Sequence, residues 1–375
     1  MKVPCTIMRG GTSKGIILRA ETLPRDAAAR DAIILRIFGS PDRRQIDGLG
    51  GADPLTSKLA LVGPPSRGDA DIDYTFADVL IEKPVVDYSG YCGNVTAAVA
   101  AYAIDEGFAK AAEPTATVRI HNTNTRRVIR AEVMVRDGRV VEDGVVEIAG
   151  VPGSGAPIHL DFADTAGSIS GRLLPAGTSL DLLAPMPIRA TIVDAGNPMV
   201  FVRADALGVD TTDGPDEIDR RKDLLEKLAA IRVAAAAHLG LVRSGRAVSE
   251  SIPAVGIVSA PADYRAYSSR RPIAADEMDL WSCEFFLGSI HKAYGVSETV
   301  CTAVAALIPG TIVHDVTRPE ASARGGVRLG HPNGVIEAKA AVDLTPQGPV
   351  VRKVSVVRTA RRILDGYVHV PDLAP

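Results

Sequence analysis

The chain has 375 residues, 46% of them hydrophobic and 23% charged, with a formal net charge of −3. That is a globular composition, and its length favours two domains over a single core. With no basic stripe interleaved with aromatics the chain does not read as a nucleic-acid binder, and its apolar runs, such as Ala97 to Ile104, stop well short of a membrane span.

The four cysteines, Cys5, Cys92, Cys283 and Cys301, form no CxxC pair, and the seven histidines form no HxxxH or HxH arrangement. Free thiols and no metal site are the expectation. Met1-Lys2-Val3-Pro4-Cys5 has no signal-peptide layout, so the expected location is the cytoplasm.

Val3 to Met8 alternates as a strand, a glycine-rich turn follows from Arg9 to Gly15, and Ile16 to Leu18 resumes the strand. A helix is predicted over Ala27 to Phe38, ended by Gly39. Strands follow at Leu59–Val62, Asp73–Val79 and Val85–Asp87, then an alanine-rich helix from Val95 to Asp105, then a hairpin of Val118–Ile120 with Val128–Val135. A second set begins near Pro187, with strands at Ala190–Val193 and Met199–Val202 around the turn Gly196-Asn197-Pro198. Asp216 to Leu239 reads as the longest helix, Pro272 to Leu287 as another and Thr299 to Leu307 as a third, with strands continuing to about Val342. Strands and helices without regular βαβ alternation indicate an α+β protein. The domains are expected at 1–182 and 183–375, with the last strand or helix free to pack back on the first.

Two segments echo each other at an offset near 205 residues. Gly90 to Ala101 lies over Gly295 to Ala306, and Val118-Arg119-Ile120 with Val128 to Ala131 lies over Val327-Arg328-Leu329 with Val335 to Ala338. Alanine-rich helices match by chance, but two echoes in the same order favour duplication of one domain. Duplicated domains would place an active site in the cleft between them.

Cys92, in Tyr91-Cys92-Gly93-Asn94, stands directly before a predicted helix. A helix N-terminus carries about half a positive charge and unpaired N–H groups, which favour a thiolate and bind carboxylates. Gly93 lets a ligand approach the backbone. A buried, inert cysteine fits the local sequence equally well. Lys58 enters the strand Leu59–Val62 from a glycine-rich context, and burial would make it a usable base; an ordinary surface lysine is the plainer reading. The loop Arg9-Gly10-Gly11-Thr12-Ser13-Lys14-Gly15 offers N–H groups, hydroxyls and cations to an anion, or is simply a tight hairpin turn. It is neither a P-loop nor a dinucleotide fingerprint, so no cofactor is implied. Gly330-His331-Pro332-Asn333-Gly334 is the turn of the second echoed hairpin.

Together these segments, with Ile37 to Asp42, Gln45 to Gly48, Ala52 to Leu59 and Ile308 to Thr311, resemble the PrpF family, most closely its 3-methylitaconate isomerase branch. The resemblance covers nearly the whole chain in order. It implies a diaminopimelate-epimerase-like fold of two pseudo-symmetric domains, each a β-sheet or barrel wrapped round a central helix. It implies Lys58 and Cys92 as the acid/base pair, without cofactor or metal. Substrate binding would fall to Arg9, Gly11, Thr12, Ser13, Lys14, Ser57, Gly93, Asn94, Ser297, Glu298, Thr299, His331, Asn333 and Gly334. The epimerases of the superfamily carry one cysteine at the start of each central helix. Through the repeat the partner of Cys92 is Ser297, and Cys301 falls inside the helix, which disfavours a two-thiol racemase.

The expected activity is an allylic proton shift converting 3-methylitaconate to 2,3-dimethylmaleate. Isomerisation of 2-methylaconitate or aconitate, and tautomerisation of 4-oxalomesaconate, are the alternatives in the same class. Amino-acid epimerisation and a non-catalytic carboxylate-binding protein are the readings outside it. The expected partners are a small carboxylate and further copies of the chain.

Overall fold

A computed structural model of the chain describes residues 1–183, 187–242 and 248–371. The chain divides into two units, 1–160 together with the segment from Arg358 onward, and 161–357. The expected boundary after residue 182 falls inside the second unit, because Leu180–Leu183 pairs antiparallel with Pro187–Ala195. Among the described residues no helix is long and apolar enough to cross a membrane.

The first unit contains β1 (Lys2–Gly10), β2 (Ser13–Arg19), α1 (Ala27–Phe38), β3 (Lys58–Gly63), β4 (Ile72–Val79), β5 (Val86–Asp87), α2 (Gly93–Asp105), β6 (Thr115–Asn122) and β7 (Arg127–Arg136). Local chemistry accounts for α1. The Asp26 carboxylate accepts from the Ala29 N–H at 2.8 Å, and Gly39 closes the helix at φ +77°. Ile33, Ile34, Ile37 and Phe38 form its buried stripe, packed against Ile16, Leu18, Leu59 and Leu61 on one face of the sheet.

The helix α2 is different in kind, since every residue from Gly93 to Ile104 is buried. A helix apolar all round must be enclosed, and its alanines let β1, β2, β3, β6 and β7 approach closely. It is the central helix of this unit.

The second unit contains β8 (Pro187–Ala195), β9 (Asn197–Arg203), α3 (Pro215–Asp219), α4 (Lys222–His238), β10 (Ala254–Ser259), β11 (Leu280–Phe286), β12 (Ser289–Ile290), α5 (Val296–Ala306), β13 (Gly326–His331) and β14 (Gly334–Thr345). The chain then runs through β15 (Gly348–Arg358) into β16 (Ala360–His369), and β16 pairs antiparallel with β1 of the first unit, to which it belongs. All eleven residues of α5 are buried, so it is the second central helix.

The pairing patterns of the two units are the same. The first runs β1–β2 antiparallel, β2–β3 parallel, β3–β4 and β4–β5 antiparallel, β4–β6 parallel and β6–β7 antiparallel. The second repeats this sequence of hands through β8, β9, β10, β11, β12, β13 and β14. Side chains repeat as well. The Asp71 N–H donates to the Arg119 carbonyl at 2.7 Å, and the Asp279 N–H donates to the Arg328 carbonyl at 2.7 Å. In return the Arg119 and Arg328 N–H groups donate to those carboxylates at 2.7 and 2.8 Å. The duplication read from the echoes is therefore present in the topology.

Two expected helices differ. Pro272 to Leu287 contains the strand β11, all seven residues of which are buried. Its aromatic and apolar side chains fit between two strands, and this outweighs any helical spacing. Asp216 to Leu239 is broken at Arg221, whose backbone leaves the helical region at ψ 79° while its guanidinium donates to the Leu207 and Gly208 carbonyls.

Candidate active site

In the first unit the β1–β2 turn is built against the head of α2. Cys92 is the residue at which extended backbone (φ −120°, ψ 110°) passes into that helix, and its carbonyl accepts from the Thr96 N–H and hydroxyl, both at 2.9 Å. Gly10 and Gly11 are glycines for steric reasons. A Cβ on Gly10 would lie 2.1 Å from the Asn94 carbonyl oxygen, and one on Gly11, at φ +47°, would lie 1.9 Å from Asn94 Oδ1. The Asn94 amide binds back to the turn: Oδ1 accepts from the Thr12 N–H at 3.3 Å, and Nδ2 donates to Thr12 Oγ1 at 3.0 Å. Ser13 Oγ stands 3.8 Å from Cys92 Sγ.

The strand β2 carries this cluster over to Lys58. Gly15, two residues beyond Ser13, pairs with Lys58 at the first position of β3. Lys58 faces Asp78 across the antiparallel β3–β4 pair. The two side chains, 4% and 3% exposed, form an ion pair of 2.8 Å. Phe76 lies beneath the ammonium, its ring centre 5.2 Å from Nζ. The Tyr74 hydroxyl donates to the Cys92 carbonyl at 3.5 Å, and burial, above all, pushes that phenol up and holds it un-ionised.

Several residues of the predicted set are engaged structurally. Arg9 donates from Nη1 to the carbonyls of Gly11 and Thr359 and to the Thr359 hydroxyl, at 2.9 to 3.2 Å, and burial lowers its pKa. The Ser57 hydroxyl donates to the Val79 carbonyl at 2.7 Å and accepts from Gln45 Nε2 at 2.8 Å. Lys14 ties its N–H to the Leu55 carbonyl at 2.9 Å. Gly93 is buried in the first turn of α2.

Two residues outside the predicted set join the cluster, Asp78 and Arg358. Arg358, the last residue of β15, is 4% exposed and donates from Nε to Asn94 Oδ1 at 3.1 Å. Burial, only partly offset by the nearby Cys92, brings its pKa down to about 9, so the guanidinium stays charged at neutral pH. Asp78 had one available signal, an acid inside the apolar run Phe76 to Val79. Arg358 is 264 residues from Asn94 and had none.

In the second unit Asn197 begins β9 as Ser13 begins β2. Its Nδ2 donates to Ser297 Oγ at 3.1 Å and to Glu298 Oε1 at 2.9 Å, and Ser297 Oγ donates to Glu298 Oε2 at 2.7 Å. Thr299 Oγ1 returns to the Gly295 carbonyl at 2.7 Å, as Thr96 does to Cys92. This shared bond aligns the two helix starts, and it sets Cys92 against Gly295 and Asn94 against Ser297. The sequence echo, two residues out of step, had set Cys92 against Ser297. Helix caps decide the register because small side chains along the helices match at many shifts. A Cβ at Gly295 would lie 1.9 Å from Glu298 Oε2, so no cysteine fits there while Asn197 holds that carboxylate. The strand registers likewise place Ala254 where Lys58 stands and Phe286 where Asp78 stands. The lysine, its aspartate and the cysteine thus have no counterparts in the second unit.

His331, Asn333 and Gly334 lie together in the β13–β14 turn. Tyr264 donates to the His331 carbonyl at 2.7 Å, and Asn333 exchanges hydrogen bonds with Ser268 at 2.8 and 3.0 Å.

The PrpF protein family profile matches residues 1–371. The chain is 48% identical over 375 residues to 3-methylitaconate isomerase of Eubacterium barkeri, covering 99% of this chain and 97% of that protein. It is 39% identical over 368 residues to (4E)-oxalomesaconate Delta-isomerase of Novosphingobium sp. strain KA1, covering 98% and 97%. The crystal structure of methylitaconate-delta-isomerase superposes with a TM-score of 0.79 at 47% identity, over 98% of this chain and 95% of that one. A hydroxyproline epimerase from Agrobacterium vitis shares the fold at a TM-score of 0.61 and 11% identity, over 98% and 92%. The architecture is accordingly the α+β, diaminopimelate-epimerase-like one.

Proposed function

Because the chain belongs to the PrpF family of isomerases, we propose that it catalyses an allylic proton shift in a small unsaturated dicarboxylate, converting 3-methylitaconate to 2,3-dimethylmaleate without a cofactor. The observation that carries the residue assignment is the buried Lys58–Asp78 ion pair set one strand away from a cysteine at the head of a central helix. The identity to a 3-methylitaconate isomerase supports the substrate.

In this reading Cys92, as thiolate, removes the proton from the carbon that bears the methyl group and one carboxylate. The electron pair moves through the C=C bond as a dienolate, and the terminal methylene receives a proton to become the second methyl group. Lys58 donates that proton, because Asp78 at 2.8 Å favours its ammonium form. Charge builds beside existing carboxylates, so preorganised donors at the α2 N-terminus and the charge of Lys58 must stabilise it. Proton transfer by positioned groups contributes about 10²- to 10⁴-fold of the rate. The proton left on Cys92 and the one lost from Lys58 exchange before the next turnover.

The test is NMR in D₂O with methylitaconate, 2-methylaconitate, aconitate and oxalomesaconate offered separately. Deuterium should enter the new methyl group of the methylitaconate product, and Lys58→Ala and Cys92→Ser should each abolish it. Exchange with oxalomesaconate alone would move the assignment to the chemistry of the Novosphingobium relative. No exchange with any of the four would end it.

A further inference from the structure

The head of α2 carries more positive character than a helix end supplies, and its source is remote in sequence. Arg358 brings a guanidinium to Asn94, two residues past Cys92, by the 3.1 Å bond from Nε. Asn94 is itself held by Thr12 on the β1–β2 turn. The missing side chain of Gly11 lets these groups meet, since a Cβ there would lie 1.9 Å from Asn94 Oδ1 and 2.8 Å from Arg358 Cδ. A cation buried to 4% exposure is strongly disfavoured unless an anion answers it.

We propose that Arg358 is a positioning residue for Cys92, tethered through Asn94 so that its positive charge at neutral pH holds the thiol as a thiolate. The inference rests on the assignment of Cys92 as the proton-transfer thiol. The helix end contributes about half a charge, and a full opposite charge held at Asn94, two residues along, favours the thiolate further. The coupling is reciprocal: a negative charge on Cys92 would raise the Arg358 pKa against burial, as the guanidinium would lower that of the thiol. Ser13, 3.8 Å from Sγ, supplies a hydroxyl to the same sulfur. Arginine suits this role because it stays charged when buried, where a lysine would shed its proton.

The experiment is iodoacetamide alkylation of the intact protein across about pH 5 to 10, with Cys92 followed by peptide mass spectrometry. Burial raises Cys5, Cys283 and Cys301, so they react slowly, and mapping separates them. The wild-type midpoint should lie below about 8.5, the ordinary thiol value. In Arg358→Gln it should rise by about one pH unit, slowing alkylation at neutral pH about tenfold, and Arg358→Lys should fall between. The same displacement should appear in the acid limb of kcat/KM. A profile in Arg358→Gln that overlays the wild type, with only KM raised, would overturn the proposal and make Arg358 a direct substrate ligand. A wild-type midpoint at or above about 8.5 would overturn it even if Arg358→Gln fails to fold. Failure of the catalytic reading is separable, because Cys92→Ser that still exchanges deuterium would sink that reading and leave the alkylation result standing.

Discussion

Replacing Asp78 by asparagine leaves the volume of the side chain almost unchanged and removes the charge opposite Lys58. At 2.8 Å and an effective dielectric constant of about 20, the pair's Coulomb attraction is about 6 kcal/mol before desolvation is subtracted. Breaking one side of such a buried pair destabilises by about 3–5 kcal/mol, because the remaining charge has no water to return to. That is a large part of the usual stability of about 5–15 kcal/mol. Lys58 would relieve the loss by releasing its proton, which also removes the proposed proton donor, so kcat should fall about 10²- to 10⁴-fold. The double variant Lys58→Met/Asp78→Asn should be more stable than Asp78→Asn alone, since two neutral side chains are easier to bury than one charge. Urea unfolding followed by far-ultraviolet circular dichroism is the suitable assay, because the single tryptophan, Trp281, lies in the other unit. Destabilisations of Lys58→Met and Asp78→Asn that add to within about 0.5 kcal/mol in the double variant would refute the coupling.

Two further outcomes follow from the geometry. Gly11→Ala must accept φ +47° and a Cβ 1.9 Å from Asn94 Oδ1, which should destabilise by about 3 kcal/mol and abolish turnover by displacing the head of α2; a wild-type melting curve and rate would contradict this. Asp279 is buried, which pushes its carboxyl up, but hydrogen bonds from Arg328 and Arg324 outweigh burial and hold it below the usual range. With a folded pKa below the unfolded value of about 3.9, its contribution is present above that pH and is lost as pH falls through the folded value. Asp279→Asn should therefore lower stability by about 2 kcal/mol at neutral pH and flatten the acid limb; Trp281 fluorescence in urea between about pH 2 and 5 checks it, and an unchanged limb would refute the assignment.

Much of the fold was legible because it rests on interactions a few residues long. Asp26 and Gly39 bound α1 through bonds to the adjacent turn, and the alternation from Asp73 to Phe76 reports which side chains face in. The segment Pro272–Leu287 misled for the complementary reason. Its Ala275–Glu277 does make a local helical turn, with the Glu277 carboxylate accepting from the Ala274 N–H, but Leu280–Phe286 is drawn out between β10 and β13 by pairing that no local pattern reports.

The site divides the same way. Cys92 was placed by sequence alone, because a cysteine ahead of Gly93-Asn94 and a run of alanines marks a helix start by local chemistry. Lys58 was named by likeness to a family, and its burial and its Asp78 partner exist only once β3 and β4 pair in register across 20 residues. Arg358 reaches Asn94 across 264 residues through the return of the chain at β15 and β16. The pairing of Gly295 rather than Ser297 with Cys92 rests on matching cap bonds. Caps, turns and amphipathic faces are determined by neighbours within one helical turn, so the sequence determines them by itself. The ionisation of a lysine or a thiol depends on which charges the fold buries beside it, and that only the tertiary structure decided.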